Sequence, residues 1–230
     1  MEISLFDLDY VILSHGHLDH TRGLVHLVKH FTEAAIEKKQ VRYPELIAHP
    51  WCFYPKPKPP LGNSGSLLTE AEAGHWFPMK LSRTPFWLTK NLVFLGEIEQ
   101  TFDFEHVDPG KRKIVMPDGR TEPDQLRDDS ALACRTPEGL VIVTGCSHAG
   151  ICNIVEYARK VCGDDWMRDI IGGLHLRDRG AERLEKTCRY LGSLGLEALQ
   201  TCHCTSLSSK IALAGYCPVR EVGSGMKLEW

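Results

Sequence analysis

Short apolar runs and helical segments alternate over the second half of this chain of 230 residues. Residues 140–144, 169–171 and 198–201 are short apolar runs that predict strands. Residues 151–161 and 181–194, which separate these runs, predict helices. An order in which strands and helices alternate is typical of the α/β class, and few other folds accommodate it.

The first half of the chain adds one strand–helix pair. Residues 10–13 predict a buried strand, and residues 23–38 predict a helix whose apolar side chains share one face. Residues 54–60 contain four prolines and predict a long loop, since proline fixes φ and lacks a backbone donor. Residues 105–127 are polar and rich in turn residues, which predicts an excursion outside the core. Further strands are expected over 46–49, 85–88, 92–95, 131–135 and 226–230, and a helix over 206–214.

Composition restricts the class of protein. Apolar residues make up 43% of the chain and charged residues 25%, as in an ordinary globular domain. The net charge of −3 argues against a nucleic-acid-binding face, and no apolar run is long enough to span a membrane. The nine cysteines and the absence of a signal-peptide pattern favour reduced thiols in a cytoplasmic protein. Without an internal repeat or linker, we expect one domain over 1–230, with a loop-rich insertion over 50–127.

The strand over 10–13 is followed at once by an H-x-H-x-D-H pattern. His15 and His17 are alternate residues of an extended segment, so both can point toward one metal ion. Asp19 and His20 lie where the chain turns into the helix, and can face a second metal ion. Imidazole and carboxylate ligands suit zinc, iron or manganese.

Three further histidines follow predicted strands. His148, His175 and His203 each lie just beyond an apolar run, and functional groups collect at the carboxyl ends of strands in α/β sheets. We therefore expect these residues to belong to the same site. The alternative, a hydrogen-bonded loop histidine, is strongest for His175.

With these motifs, the sequence resembles the metallo-β-lactamase fold superfamily of metal-dependent hydrolases. Residues 14–21, 145–151 and 172–176 resemble the branch that includes a dihydropterin–ribofuranosylaminobenzene phosphate synthase of methanopterin biosynthesis and its bacterial relatives. The resemblance implies a four-layer αββα sandwich with two divalent metal ions, zinc first and manganese, iron or magnesium as alternatives. It also implies which residues bind them: His15, His17 and His148 for the first metal, and Asp19, His20 and His203 for the second.

The sequence departs from the superfamily pattern at two places. His175 stands where the superfamily usually has a bridging aspartate, and a neutral imidazole has only one free lone pair. We expect His175 to bind one metal terminally or to contact the substrate, and with Asp19 we assign it a catalytic role. The metal motif also begins at residue 15, so the chain is expected to lack the N-terminal strands of the fold, which would expose a sheet edge and favour a homo-oligomer.

The expected function is that of a metal-dependent hydrolase acting on a small anionic, phosphorylated metabolite. With only one anionic protein ligand, two divalent ions keep a residual positive charge that favours such a substrate. One alternative is a transferase that joins dihydropterin pyrophosphate to ribofuranosylaminobenzene phosphate and releases pyrophosphate. Another is an inactive, truncated metal-binding remnant. We expect no nucleic-acid or membrane partner.

Other residues are weaker candidates. Lys56, Lys58 and Arg83 are cationic and could bind a substrate phosphate, the two lysines beside the aromatic residues of a loop that could cover the site. Asp129 could orient a histidine, although a turn-making role fits its sequence context better. The cysteines beside His203, Cys202 and Cys204, are expected to point away from the metal because alternate residues face opposite sides. His26 and His30 are interpreted as solvent-exposed helix residues.

Overall fold

The computed structural model describes residues 4–60, 62–106, 108–177 and 180–230. Residues 61 and 107, which fall in segments expected to be loops, lie outside this part of the chain. The chain forms two compact units: the first contains residues 1–83 and 108–128, and the second contains residues 84–107 and 129–230. The single domain over 1–230 and the insertion over 50–127 stay predictions.

The described residues form short strands and helices in alternation. The α-helices are α1 (Leu18–Thr21), α2 (Gly23–Ile36), α3 (Glu70–Trp76), α4 (Ile151–Cys162), α5 (Ala181–Gly192) and α6 (Leu207–Ala214). The strands are β1 (Tyr10–Ile12), β2 (Glu45–Ala48), β3 (Met79–Leu81), β4 (Phe86–Trp87), β5 (Leu92–Phe94), β6 (Lys113–Val115), β7 (Thr121–Pro123), β8 (Ala131–Thr136), β9 (Gly139–Thr144), β10 (Met167–Gly173) and β11 (Ala198–Cys202). These elements confirm the prediction of a mixed α/β fold.

The first unit is built on a parallel three-stranded sheet in the order β1–β2–β3. Helix α2 presents Leu24 and Phe31 to a core that also contains Leu46 and Phe77. Polar residues follow each strand within two positions of its carboxyl end: Ser14 after β1, His49 after β2 and Ser82 after β3. That edge carries the H-x-H-x-D-H loop, which runs from β1 into α1.

The second unit contains a six-stranded mixed sheet in the order β11–β10–β9–β8–β5–β4. Strands β9, β10 and β11 are parallel, so α4 and α5 cross over between them. Helix α4 buries Ile151, Ile154, Val155 and Ala158 in the core of this unit. The parallel strands therefore end at one edge, and the loops after β9, β10 and β11 carry the three predicted histidines.

The four predicted helices are confirmed to within two residues at their ends. The predicted helix over 23–38 is α2, which ends at Ile36, and the helix over 151–161 is α4. Short α3 was not expected, although Thr69 and Glu72 form a capping box at its N-terminus. Within the described residues, no helix has both the length and the apolarity needed to cross a bilayer.

The segment over 105–127 differs from the expected excursion. It contains the hairpin β6–β7, and its residues Ile114, Asp124 and Leu126 are each 1% exposed. Glu105 is fully buried in the second unit. The expectation was wrong at these buried positions only. It treated charged residues as solvated, whereas the carboxylates of Asp124 and Glu105 have buried hydrogen-bond partners.

The expected strand over 226–230 is also wrong, since these residues form no strand. Instead, residues 218–220 lie along the open side of β11: Leu199 donates to Pro218 O and accepts from the backbone N–H of Arg220. Trp230 contacts the second unit's sheet through its side chain and not through a strand: its indole N–H donates a hydrogen bond to Asp169 of β10.

Candidate metal centre

His15 and His17 face each other across the turn after β1. The Nε2 atom of His15 lies 3.1 Å from Nδ1 of His17, and His15 is fully buried. Two imidazole nitrogens on one tetrahedral zinc ion, each at about 2.0–2.1 Å, are separated by about 3.3 Å. The pair therefore has nearly the separation that a shared cation requires.

The hydroxyl of Ser14 lies near one ring nitrogen each of His15 and His20. Its Oγ lies 3.1 Å from Nδ1 of His15 and 3.3 Å from Nδ1 of His20. A metal-binding histidine usually hydrogen-bonds through its second nitrogen, which fixes the ring. Ser14 can do this for His15, whose Nε2 faces His17. Asp19 is exposed, and its Oδ2 lies 3.5 Å from Nε2 of His20.

A buried ion pair holds the backbone between the two histidines. The Gly16 N–H donates to Oδ2 of Asp128 at 2.7 Å, while Lys56 Nζ donates to Oδ1 of Asp128 at 3.2 Å and to Asp124 at 3.0 Å. The two carboxylates outweigh the effect of burial and raise the pKa of Lys56. Burial lowers the pKa of His17, although Asp128 opposes this effect, so its imidazole stays neutral and keeps a lone pair.

The three residues expected to bind substrate have different environments. Lys56 is only 2% exposed, so its ion pair favours a structural role over contact with a substrate. Lys58 and Arg83 are exposed, and the guanidinium of Arg83 lies 5.5 Å from the centre of the Trp51 ring. A substrate contact by Lys58 or Arg83 stays a prediction.

In the second unit, the loops after β9, β10 and β11 share an unusual backbone feature. Ser147, His175 and His203 have φ angles of 54°, 47° and 53°, in the left-handed region that non-glycine residues seldom adopt. Backbone strain of this kind is concentrated at functional sites. The rings of His148 and His175 are 4.2 Å apart, whereas the side chain of His203 is exposed.

Hydrogen bonds fix these loops to one another. Ser147 Oγ donates to the Gly173 carbonyl at 2.7 Å, and the Leu174 N–H donates to Thr205 Oγ1 at 3.0 Å. The Ala149 N–H donates to Asp129 Oδ2 at 2.9 Å. Asp129 thus holds the backbone of the residue next to His148, and its expected role in orienting a histidine ring stays a prediction.

Two cysteines lie beside His175. The ligand atoms of Cys146, His175 and Cys204 are all within 4.8 Å of one another, and the His175 N–H donates to Cys204 Sγ at 3.2 Å. A hydrogen bond from Cys146, with further hydrogen bonds from His175, outweighs burial and lowers the pKa of the Cys204 thiol to about 4. The expected alternation does not describe this loop, because the left-handed residue His203 turns the chain.

These side chains suit a metal ion. The Nδ1 atom of His175 is buried and has no hydrogen-bond partner among the described residues. Burying such a nitrogen without a partner is costly, and a cation would remove that cost. Within the second unit, the imidazole of His175 and the thiols of Cys146 and Cys204 are donors that suit zinc or iron rather than calcium.

Three residues have roles that were not predicted from the sequence: Ser14, Lys56 as an ion-pair residue, and Glu105. Glu105 accepts hydrogen bonds from the Cys152 and Asn153 N–H groups at the start of α4, at 3.1 and 2.8 Å. Burial raises its pKa, and those two hydrogen bonds only partly offset the effect. A sequence signal existed for Ser14, which adjoins the motif, but none existed for the long-range partners of Lys56 and Glu105.

Known proteins resemble this chain over most of its length. The model of the metallo-beta-lactamase superfamily matches residues 1–112. A 7,8-dihydropterin-6-methyl-4-(beta-D-ribofuranosyl)-aminobenzene-5'-phosphate synthase of Methanocaldococcus jannaschii is 33% identical over 222 residues, which cover 91% of this chain and 70% of the synthase. The uncharacterized protein MJ0448 of the same organism is 25% identical over 90% of this chain and 72% of its own length.

A solved structure is similar as well. The crystal structure of Tm1679, a metal-dependent hydrolase of the beta-lactamase superfamily, matches with a TM-score of 0.77 and 25% identity. The match covers 96% of this chain and 78% of Tm1679. Members of this superfamily bind metal ions, and most are enzymes. The chain belongs to the metallo-β-lactamase superfamily.

Proposed function

We propose that this chain is a metal-dependent hydrolase that cleaves a phosphate ester bond in a small anionic metabolite. The observation that carries the proposal is the 3.1 Å separation of His15 Nε2 and His17 Nδ1. Two lone pairs at this distance suit a shared cation, and the neutral state of His17 keeps its lone pair available. The superfamily membership and the metal-dependent hydrolase Tm1679 support the same assignment.

The proposed ligands are the histidines and the aspartate of the motifs. His15, His17 and His148 bind one divalent ion, and Asp19, His20 and His203 bind the second. When bound, such ions polarise the phosphoryl oxygens and lower the pKa of water to about 7. Zinc is the first candidate, followed by manganese, iron and magnesium.

The remaining steps belong to this chain's own residues. Ser14 orients His15 and His20, and the Gly16–Asp128 hydrogen bond fixes the loop between His15 and His17. Exposed Asp19 accepts the proton of the attacking water, and His175 binds a metal terminally or contacts the substrate. The new phosphorus–oxygen bond forms as the bond to the leaving oxygen breaks, and that oxygen takes up a proton.

The proposed substrate is a small anion because the ligand set carries little negative charge. Asp19 is the one carboxylate in the proposed set, so two divalent ions keep a net positive charge. Exposed Lys58 and Arg83 could add to it. A phosphorylated metabolite therefore fits better than a neutral amide.

A transferase is the second candidate, and the synthase from Methanocaldococcus jannaschii favours it. In that reaction, a dihydropterin pyrophosphate would be coupled to a ribosylated arylamine phosphate, and pyrophosphate would leave. Exposed donors of the same loops would then contact the leaving group instead of a water molecule.

An assay of the purified chain with zinc, manganese or magnesium separates these candidates. Hydrolysis of bis(4-nitrophenyl) phosphate supports the hydrolase, and formation of the coupled pterin product supports the transferase. His15→Ala should abolish either activity, whereas His26→Ala, an exposed histidine of α2, should leave it unchanged. Absence of both activities at full metal loading would contradict the proposed chemistry.

A further inference from the structure

The loops after β9, β10 and β11 bring together two thiols and an imidazole that the proposed ligand sets do not use as a group. Cys146, His175 and Cys204 place one ligand atom each within 4.8 Å of the others. All three residues belong to the second unit. On a tetrahedral zinc ion, two sulfur ligands at about 2.3 Å are separated by about 3.8 Å, so a small contraction would complete the geometry.

We propose that Cys146, His175 and Cys204 bind a thiophilic cation, with both cysteines as thiolates. This inference rests on the proposed function and makes it more specific, because it takes His175 as a metal ligand rather than as a substrate contact. Soft thiolate ligands select zinc or iron over magnesium. A divalent cation held by both thiolates is neutralised, so the positive charge that attracts an anionic substrate would remain with cations bound by imidazoles.

The surrounding backbone is built for a close approach of these groups. A Cβ atom added at Gly173 would lie 2.6 Å from Cys204 Sγ and 2.6 Å from the Gly145 carbonyl oxygen. Only glycine therefore allows the loop after β11 to bring its thiol to this position. The left-handed residues Ser147, His175 and His203 supply the sharp turns in all three loops.

The same loops are rigid before any ligand binds. Ser147 Oγ holds the Gly173 carbonyl, and Thr205 Oγ1 accepts from the Leu174 N–H and from the Thr201 hydroxyl. The His175 N–H donates to Cys204 Sγ at 3.2 Å, which orients that sulfur. A site fixed in this way loses little entropy when it takes up a cation.

His175 supplies the second line of evidence. Its Nδ1 is buried without a hydrogen-bond partner among the described residues, whereas the large majority of buried polar side-chain atoms in proteins have one. Structural histidines of a loop normally donate or accept through both nitrogens when they are buried. His175 therefore combines a ring nitrogen within 4.8 Å of both sulfur atoms with a buried Nδ1 that lacks a partner, and a bound cation would fit both observations.

Cobalt substitution of the full-length chain tests this inference. The reduced, metal-free protein is titrated with Co²⁺ under anaerobic conditions, and the thiolate-to-cobalt charge-transfer absorption in the near ultraviolet is recorded. We expect this band in the wild-type protein, a weaker band in Cys146→Ser and in Cys204→Ser, and its loss in the double variant. The matched control is Cys202→Ser, which changes a thiol at the end of β11, outside the cluster, and should keep the band.

The outcomes separate this inference from the proposed function. Bound cobalt with visible ligand-field bands but no charge-transfer band overturns the thiolate ligands and leaves the histidine sites standing. Equal loss in Cys202→Ser and Cys204→Ser also overturns it. Absence of any bound cobalt overturns both proposals. The wild-type spectrum decides the matter even if a cysteine variant fails to fold, which circular dichroism would reveal.

Discussion

The backbone N–H of Gly16 donates to Oδ2 of Asp128 at 2.7 Å, although 112 residues separate them in the chain. A Cβ atom at Gly16 would lie 2.5 Å from the Cys52 carbonyl oxygen, so any other residue at this position would have to displace the backbone of Cys52. The contact fixes the turn that presents His15 and His17 together. Lys56, bonded to Asp128 and Asp124, completes the arrangement.

Replacing Lys56 should destabilise the chain strongly. Lys56→Met leaves two buried carboxylates without their cation, and breaking a buried ion pair costs about 3–5 kcal/mol. Urea denaturation measures this loss. Lys58→Met, an exposed neighbour, should change the free energy of unfolding by less than about 0.5 kcal/mol. Equal stability of the two variants would show that the ion pair contributes nothing.

Glu105 should make stability depend on pH. Burial raises its pKa in the folded chain above the ordinary value of 4.5, so the folded chain holds this proton more tightly than the unfolded chain. Its contribution is therefore fully present below pH 4.5 and is lost as the pH rises through the folded-state pKa. We expect the free energy of unfolding to contain a component that falls over this window, measured by urea denaturation at successive pH values.

Glu105→Gln should remove that component, because glutamine does not titrate. The matched control is Glu185→Gln, which changes an exposed acid on α5 and should keep the wild-type pH profile. An unchanged profile in Glu105→Gln would contradict the raised pKa.

Gly173→Ala should disturb the cysteine cluster. The added Cβ would overlap Cys204 Sγ and the Gly145 carbonyl, and overpacking of this kind costs about 1–3 kcal/mol. Gly223→Ala is the control, since its Cβ would meet nothing within 4 Å. Thermal or urea unfolding compares the two variants. If Gly173→Ala were as stable as Gly223→Ala, the close approach of Cys204 would be wrong.

Cys204 should react with iodoacetamide at acidic pH in the metal-free chain. Its pKa of about 4 makes it a thiolate at pH 6, whereas burial raises the pKa of Cys202. Mass spectrometry of peptides alkylated for short times should therefore find Cys204 modified before Cys202. Preferential modification of Cys202 would contradict the stabilised thiolate.

The sequence predicted the elements that depend on local pattern. The apolar run of β9 and the one-sided helix α2 follow from spacing alone, so their positions agree closely with the structure. The hairpin β6–β7 was missed because its strands are only three residues long, too short to show a periodic pattern, although Asp118 and Gly119 mark its turn. The strand expected over 226–230 failed because residues 218–220 lie along β11 instead.

The candidate site was predictable only where its residues adjoin in sequence. The H-x-H-x-D-H motif indicates its own geometry, and His15 and His17 indeed face each other. The position of Cys204 could not be predicted, because the alternation of an extended chain fails at a left-handed residue such as His203. The buried ion pair of Lys56 depends on partners 68 and 72 residues away, which no local pattern reveals.

The metal content of the purified chain tests the central claim most directly. Elemental analysis after dialysis should find at least about two divalent ions per chain, the number that a two-metal hydrolase requires, and one more if the cysteine cluster also holds a cation. His15→Ala should lower that content while His26→Ala keeps it, since only the first removes a proposed ligand. A correctly folded wild-type chain that retains no metal, even after incubation with zinc, would contradict the account.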